Sequence, residues 1–193
     1  MSSLGWNRSP PPITLEDRTG SLSNNDFDDL YDRMYYYHVN RQPASPVIKI
    51  FRMNHRASRA RSLAPLPTQG VVHLEYPLDE NLGTITFFEG SMGTMQMSKY
   101  LKKLSFFGSS LNRKFTAADG NEYKWGFRQY EGQEWTLTTM DDMLVAHYNL
   151  KPDDVRAYDV TGNQLIIYEP YSSILAEIIA SFLIMRHIAL FNL

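Results

Sequence analysis

Cysteine is absent from the 193 residues. That excludes disulfide staples, thiolate catalysis and cysteine-ligated zinc, and it suits a reducing compartment. The opening MSSLGWNRSPPPITLEDRTG lacks an apolar run that could form a signal-peptide core. The expectation is therefore a cytoplasmic protein whose Asn7-to-Ser9 sequon goes unglycosylated. Metal spacing is missing too. Histidines 38, 55, 73, 147 and 187 are scattered, with neither His-x-His nor His-Glu-x-x-His among them, so no metal site is expected. EGSMG misses a nucleophile elbow because Glu89 stands where the first glycine is needed. No glycine-rich loop opens a helix in the form that cradles phosphates. The carboxylate pairs Asp141-Asp142 and Asp153-Asp154 suit turns rather than acid–base work. These absences point to a non-enzymatic chain that needs no cofactor.

What is present is apolar and unevenly charged. Hydrophobic residues make up 43% and aromatics 13%, enough for the core of one ordinary domain. Residues 1–32 hold six acids and two bases, 33–74 seven bases and no acid, and the remainder fifteen acids and ten bases. A basic block inside an acidic protein suits an anionic partner, or pairing with the protein's own acidic head.

Residues 1–26 are rich in Ser, Pro and Asn without hydrophobic period and read as a disordered tail, with one domain over 27–193. FDDLYDRMYYYHV is ambiguous. Phe27, Leu30, Tyr31 and Met34 fall at helical spacing, while Tyr35 to Val39 suits a strand. SPVIKIFRM reads as a strand, and a basic linker over 54–70 follows. Beyond it, VVHLEY and GTITFFEG form an antiparallel pair, and glycines 90 and 93 mark a turn. TMQMSKYLKKL suits a strand or a short helix. Strands are expected in QEWTLTT and LVAHYNL, and VRAYDVTGNQLIIYE reads as a hairpin split at 161–163. Short strands at regular intervals indicate an antiparallel sandwich or barrel. After Pro170, Ser172 or Ser173 caps a helix over about 173–191 that is apolar on almost every face. Such a helix must be surrounded by protein or lipid. Its unbroken apolar stretch is short and contains Glu177, so no spanning segment is expected, with a C-terminal membrane anchor as the competing reading.

The most specific local signal is RKFTAADGNEYKWGF. Asp119-Gly120 supplies a turn that tolerates positive φ, and period-two spacing puts Phe115 with Ala117, and Tyr123 with Trp125 and Phe127, on shared faces. Arg113, Phe115, Asp119, Gly120, Tyr123, Trp125, Val145, Ala146, Tyr148, Gly162, Glu177 and Ile178 together resemble an uncharacterised domain family abundant in basidiomycete fungi. The likeness covers roughly 71–185, and Ala176 departs from the family's usual Asp-Glu-Ile-Val. That family is similar to tubby C-terminal, LURP-one-related and phospholipid-scramblase proteins. The resemblance implies a mainly β chain, a closed antiparallel tubby-like barrel threaded by its hydrophobic C-terminal helix. It implies no activity.

Two function classes follow. Lys102, Lys103, Arg113 and Lys114 lie near Leu104, Phe106 and Phe107, with Arg56, Arg59 and Arg61 in the linker. Cations beside rings suit an anionic membrane surface, and Ser58 and Ser62 would let phosphorylation weaken that attraction. The alternative is a protein-interaction module without lipid binding. Nucleic acid is disfavoured, because the basic block has no stacking platform and the rest of the chain is acidic. His147 is expected in the barrel wall. Glu177, if buried, requires a partner, and a structural ion pair with a barrel arginine is expected.

Overall fold

The computed structural model describes residues 10–31, 36–41, 45–53, 67–79, 81–105 and 107–193. Among these residues, thirteen strands form one antiparallel sheet. They are β1 (Ile13–Asp17), β2 (Asn24–Asp29), β3 (Tyr36–Arg41), β4 (Val47–Arg52), β5 (Val72–Glu75), β6 (Thr84–Phe87) and β7 (Thr94–Gln96), then β8 (Lys102–Lys103), β9 (Arg113–Thr116), β10 (Glu122–Phe127), β11 (Trp135–Thr139), β12 (Leu144–Asn149) and β13 (Asn163–Ile167). A four-residue helix, α1 (Met97–Tyr100), stands between β7 and β8, and α2 (Leu175–Phe191) closes the chain.

The topology is two meanders. β1 to β7 run outward as sequential neighbours, and β8 to β13 run back to lie beside β1. Residues Ile13 to Asp17 pair antiparallel with Asn163 to Ile167 at that join. The outer strands, β7 and β8, are not hydrogen-bonded to each other, so the closed barrel expected from the family resemblance is not closed by hydrogen bonds. Packing spans the gap instead. The Tyr100 ring on α1 lies 5.4 Å from Phe87 of β6 and 5.3 Å from Phe115 of β9.

The mainly β architecture around a C-terminal helix agrees with the sequence reading. Inward residues of strands from both meanders meet α2. Phe182 packs on Phe27, Trp125 and Tyr148, from β2, β10 and β12, and His187 stacks on Tyr76 at 4.0 Å. Ile178 to Met185 are all buried, including Ser181, whose Oγ accepts the Trp125 indole N–H at 2.9 Å. By length and composition the element Tyr171–Phe191 passes for a membrane span, yet 72% of its most apolar 18-residue stretch is buried within the fold. The helix that needed a surround has one.

Several local expectations change. The tail expected over 1–26 contains β1 and the start of β2, because their partners are supplied by β13 and β3 rather than by local pattern. The helical spacing that begins at Phe27 does not produce a helix over 27–31, where Phe27 is an inward strand residue; Met34 lies outside the described residues. Of the hairpin expected across 155–169, only β13 forms. Its neighbours are β1 and β12, so residues 155–160 have no strand to join, and Asp159 turns at φ +56°. Both readings of TMQMSKYLKKL hold in sequence, strand then helix. Neither serine caps α2. A 3₁₀ turn over Tyr171–Ile174 precedes it, and the Ser172 hydroxyl donates to Glu169.

Candidate functional site

The gap between the sheet's two edges is where uncompensated charge and open space coincide. In the β9–β10 hairpin, Gly120 takes φ +82° and its N–H donates to the Ala117 carbonyl, making a three-residue loop. The Tyr123 hydroxyl donates to Asp119 Oδ2 at 2.6 Å and locks the turn. Register then follows. Lys114 lies directly opposite Lys124 on one side and Lys102 on the other. Three lysines therefore form a row across β8, β9 and β10. Like charges directly opposite one another are destabilising. Lys124 is neutralised by Asp142 at 2.7 Å and Lys114 by Glu122 at 3.0 Å. Lys99, Lys102 and Lys103 are exposed and have no ion-pair partner among the described residues.

Beside this row lies a cavity of about 270 Å³, reaching from Met92 and Met95 at the β7 edge to Phe115 and Thr116 of β9. Lys99, Lys102 and Lys114 line it, with Glu122 as the carboxylate among its lining residues. Tyr100 also lines it. Its hydroxyl is buried without a hydrogen-bond partner, and burial, with Glu177 nearby, pushes it well above its ordinary range. Leu104 and the ring of Phe107 are exposed near β8.

Arg113, grouped with these lysines on sequence, belongs elsewhere. Alternation along β9 turns it inward with Phe115, and it is 4% exposed. Its guanidinium donates to the carbonyls of Ser110, Leu101 and Leu193, at 2.9, 3.3 and 3.2 Å. It ties the end of α2 to the sheet edge and is not a surface contact. Arg56, Arg59, Arg61 and Phe106 lie outside the described residues, as do Ser58 and Ser62.

Glu177 is buried, but the arginine expected beside it is absent among the described residues. Its Oε2 accepts the Ala118 N–H of the hairpin turn at 3.0 Å. Burial raises its pKa to about 7; the Ala118 hydrogen bond opposes that rise and the charge of Asp119 adds to it. A buried carboxylate with an arginine partner does occur elsewhere in the fold. Asp17, fully buried, accepts from Arg186 at 3.2 Å, from the Tyr148 hydroxyl at 2.8 Å, and from Asn25 at 2.7 Å. His147 lies in the β12 wall against Tyr168, its Nδ1 unpartnered, and burial lowers its pKa. Among the described residues, no group of three or more His, Asp or Glu is arranged to hold a metal.

A second cleft, about 600 Å³, lies at the far end of α2 between Leu22, Phe127, Trp135 and Leu190. Its cation, Arg186, is already engaged by Asp17 and by the Gly20 carbonyl. The seam cavity differs in having cations to spare.

Sequence reasoning groups Lys99 with Lys102 and Lys103 in the KYLKKLSFFG stretch but misses Lys124. Lys124 is accessible from the hairpin register, since an Asp-Gly loop fixes which residue faces Lys114.

The model of a family of unknown function, DUF6593, matches residues 20–189. The chain belongs to that family. The match takes in β2 to β13, the hairpin and most of α2, and begins after β1. Neither the curated proteins nor the solved structures contain a match.

Proposed function

We propose that this DUF6593 domain is a non-enzymatic module that associates peripherally with an anionic lipid surface through the β8–β9 edge. The observation that carries the reading is the group Lys99, Lys102 and Lys103, without ion-pair partners among the described residues, beside exposed Leu104 and Phe107. Ammonium groups meet lipid headgroups at about 1 kcal/mol per charge, while the neighbouring apolar side chains enter the interface. The resemblance to tubby-like and scramblase-like proteins read from the sequence motifs adds support, and a sheet wrapped on a hydrophobic C-terminal helix accords with it. On this reading the domain works at the cytoplasmic face of a membrane. A protein partner adding a strand to the open edge is the weaker reading, because β8 has only two residues and both are lysines, which discourages strand addition.

Co-sedimentation with phosphatidylserine and phosphatidylcholine vesicles, at low and high salt, tests it. Association should need the anionic lipid and fade with salt. Lys102→Glu with Lys103→Glu should weaken it by about two to three orders of magnitude, at about 1 kcal/mol per charge over four charge units. Unchanged association in that variant overturns the reading. Absence of association by the native chain at any salt hands the edge to a protein partner.

A further inference from the structure

We propose that the seam cavity binds a phosphomonoester. The argument is one of charge, shape and register. Lys99, Lys102 and Lys114 surround a volume of about 270 Å³, and Glu122 is the carboxylate among its lining residues, leaving an excess of two positive charges. A phosphomonoester carries between one and a half and two negative charges near neutrality, roughly that excess. A phosphodiester or a carboxylate leaves one cation unmatched.

Compact ammonium groups suit a phosphoryl dianion as point charges, with Thr116 at the same wall able to donate from its hydroxyl. Met92, Met95 and Phe115 form an apolar side for the carbon skeleton that carries the phosphate. The volume is at the lower end of ligand sites, so the group that enters is small. Register supplies an independent observation. Lys102 stands directly opposite Lys114; Glu122 pairs with Lys114 and leaves Lys102 facing a like charge with no ion-pair partner of its own among the described residues, which an anion between the two lysines offsets.

The ligand chemistry has two sources, a soluble phosphomonoester and the headgroup of a membrane lipid such as phosphatidic acid. The inference shares Lys99 and Lys102 with the surface reading but does not require a membrane, and the experiment separates the two. The full chain, ¹⁵N-labelled, is titrated with sn-glycerol 3-phosphate and, in parallel, with glycerophosphoglycerol as the diester. Vesicle arms use phosphatidic acid and phosphatidylglycerol.

Saturable shifts at the amides of Lys99, Lys102, Lys114 and Thr116 with the monoester, and about tenfold weaker binding of the diester, are expected. Lys99→Ala with Lys114→Ala should abolish the monoester response, whereas Lys103→Glu, outside the cavity, should leave it within about twofold while weakening vesicle association. Preference for phosphatidic acid over phosphatidylglycerol vesicles, together with weak soluble binding, assigns the ligand to the lipid. Equal response to both vesicle types with no soluble shifts overturns the cavity and leaves the surface reading standing. Soluble binding without vesicle association does the reverse. Native-like monoester shifts in the Lys99→Ala, Lys114→Ala variant also overturn the proposal.

Discussion

The sheet brings strands together at two joins, and they are built by opposite means. At β1–β13, segments nearly the whole chain apart are zipped through five facing residue pairs and anchored by the Asp17–Arg186–Tyr148 network. At β7 and β8, segments separated by only α1 are left unpaired and are held by one aromatic ring. Closing a long loop costs more entropy than closing a short one. Chain connectivity therefore favours closing the join that stays open. The cause is local: α1 occupies the gap, and β8 is two lysines. A fold that secures the expensive closure and leaves the cheap one ajar has concentrated its surface chemistry at the second.

Breaking the zipped join gives the largest effect. Arg186→Met leaves Asp17 buried with its charge uncompensated, a loss of about 3–5 kcal/mol. Urea unfolding followed by tryptophan fluorescence measures it. A loss below about 1 kcal/mol would show that the strand pairing alone holds the join.

Next in size is Glu177, which reaches from the core helix to the hairpin at the open side. Its folded pKa of about 7 stands above the ordinary 4.5, so the fold favours the protonated acid. The resulting stability is complete below the unfolded value and is lost as pH rises through 7. Over that window the native chain should lose on the order of 3 kcal/mol that Glu177→Gln does not lose. The glutamine amide oxygen still accepts from Ala118. Parallel pH profiles for the two proteins would contradict the assignment.

The two joins also differ in how far the sequence disclosed them. The hairpin at the open side was legible because an Asp-Gly loop and period-two aromatics are local signals. Strand alternation within that same segment places Arg113 inward, but its neighbour Lys114 made it look like part of a surface cluster. The zipped join was hidden. Its strand ITLED is short and half polar, and what makes it a strand is a partner almost 150 residues away in sequence. Asp17 looked like one acid of a tail, whereas its role needs Arg186 from α2. Glu177 was legible as a buried group from the all-apolar helix. Its partner was not, since a backbone N–H in a distant turn leaves no mark on side-chain pattern.

The smallest effect sharpens the comparison most, because it asks how the open join is held. Tyr100 bridges Phe87 and Phe115 with its ring, and its hydroxyl lies buried without a hydrogen-bond partner. The Tyr148 hydroxyl in the Asp17 network has its acceptor; the Tyr100 hydroxyl has none among the described residues. If packing alone holds the gap, Tyr100→Phe keeps the ring contacts and removes an unsatisfied polar group. Stability should then be unchanged or rise by up to about 1 kcal/mol. The midpoint of urea unfolding resolves a difference of that size when the slope is unchanged. A loss of more than about 1 kcal/mol would mean that the hydroxyl finds an acceptor in solution. Glu177 is the group placed to provide it, being close enough to raise the Tyr100 pKa. The open join would then carry a polar latch of its own, and repeating the substitution in the Glu177→Gln background would measure the coupling.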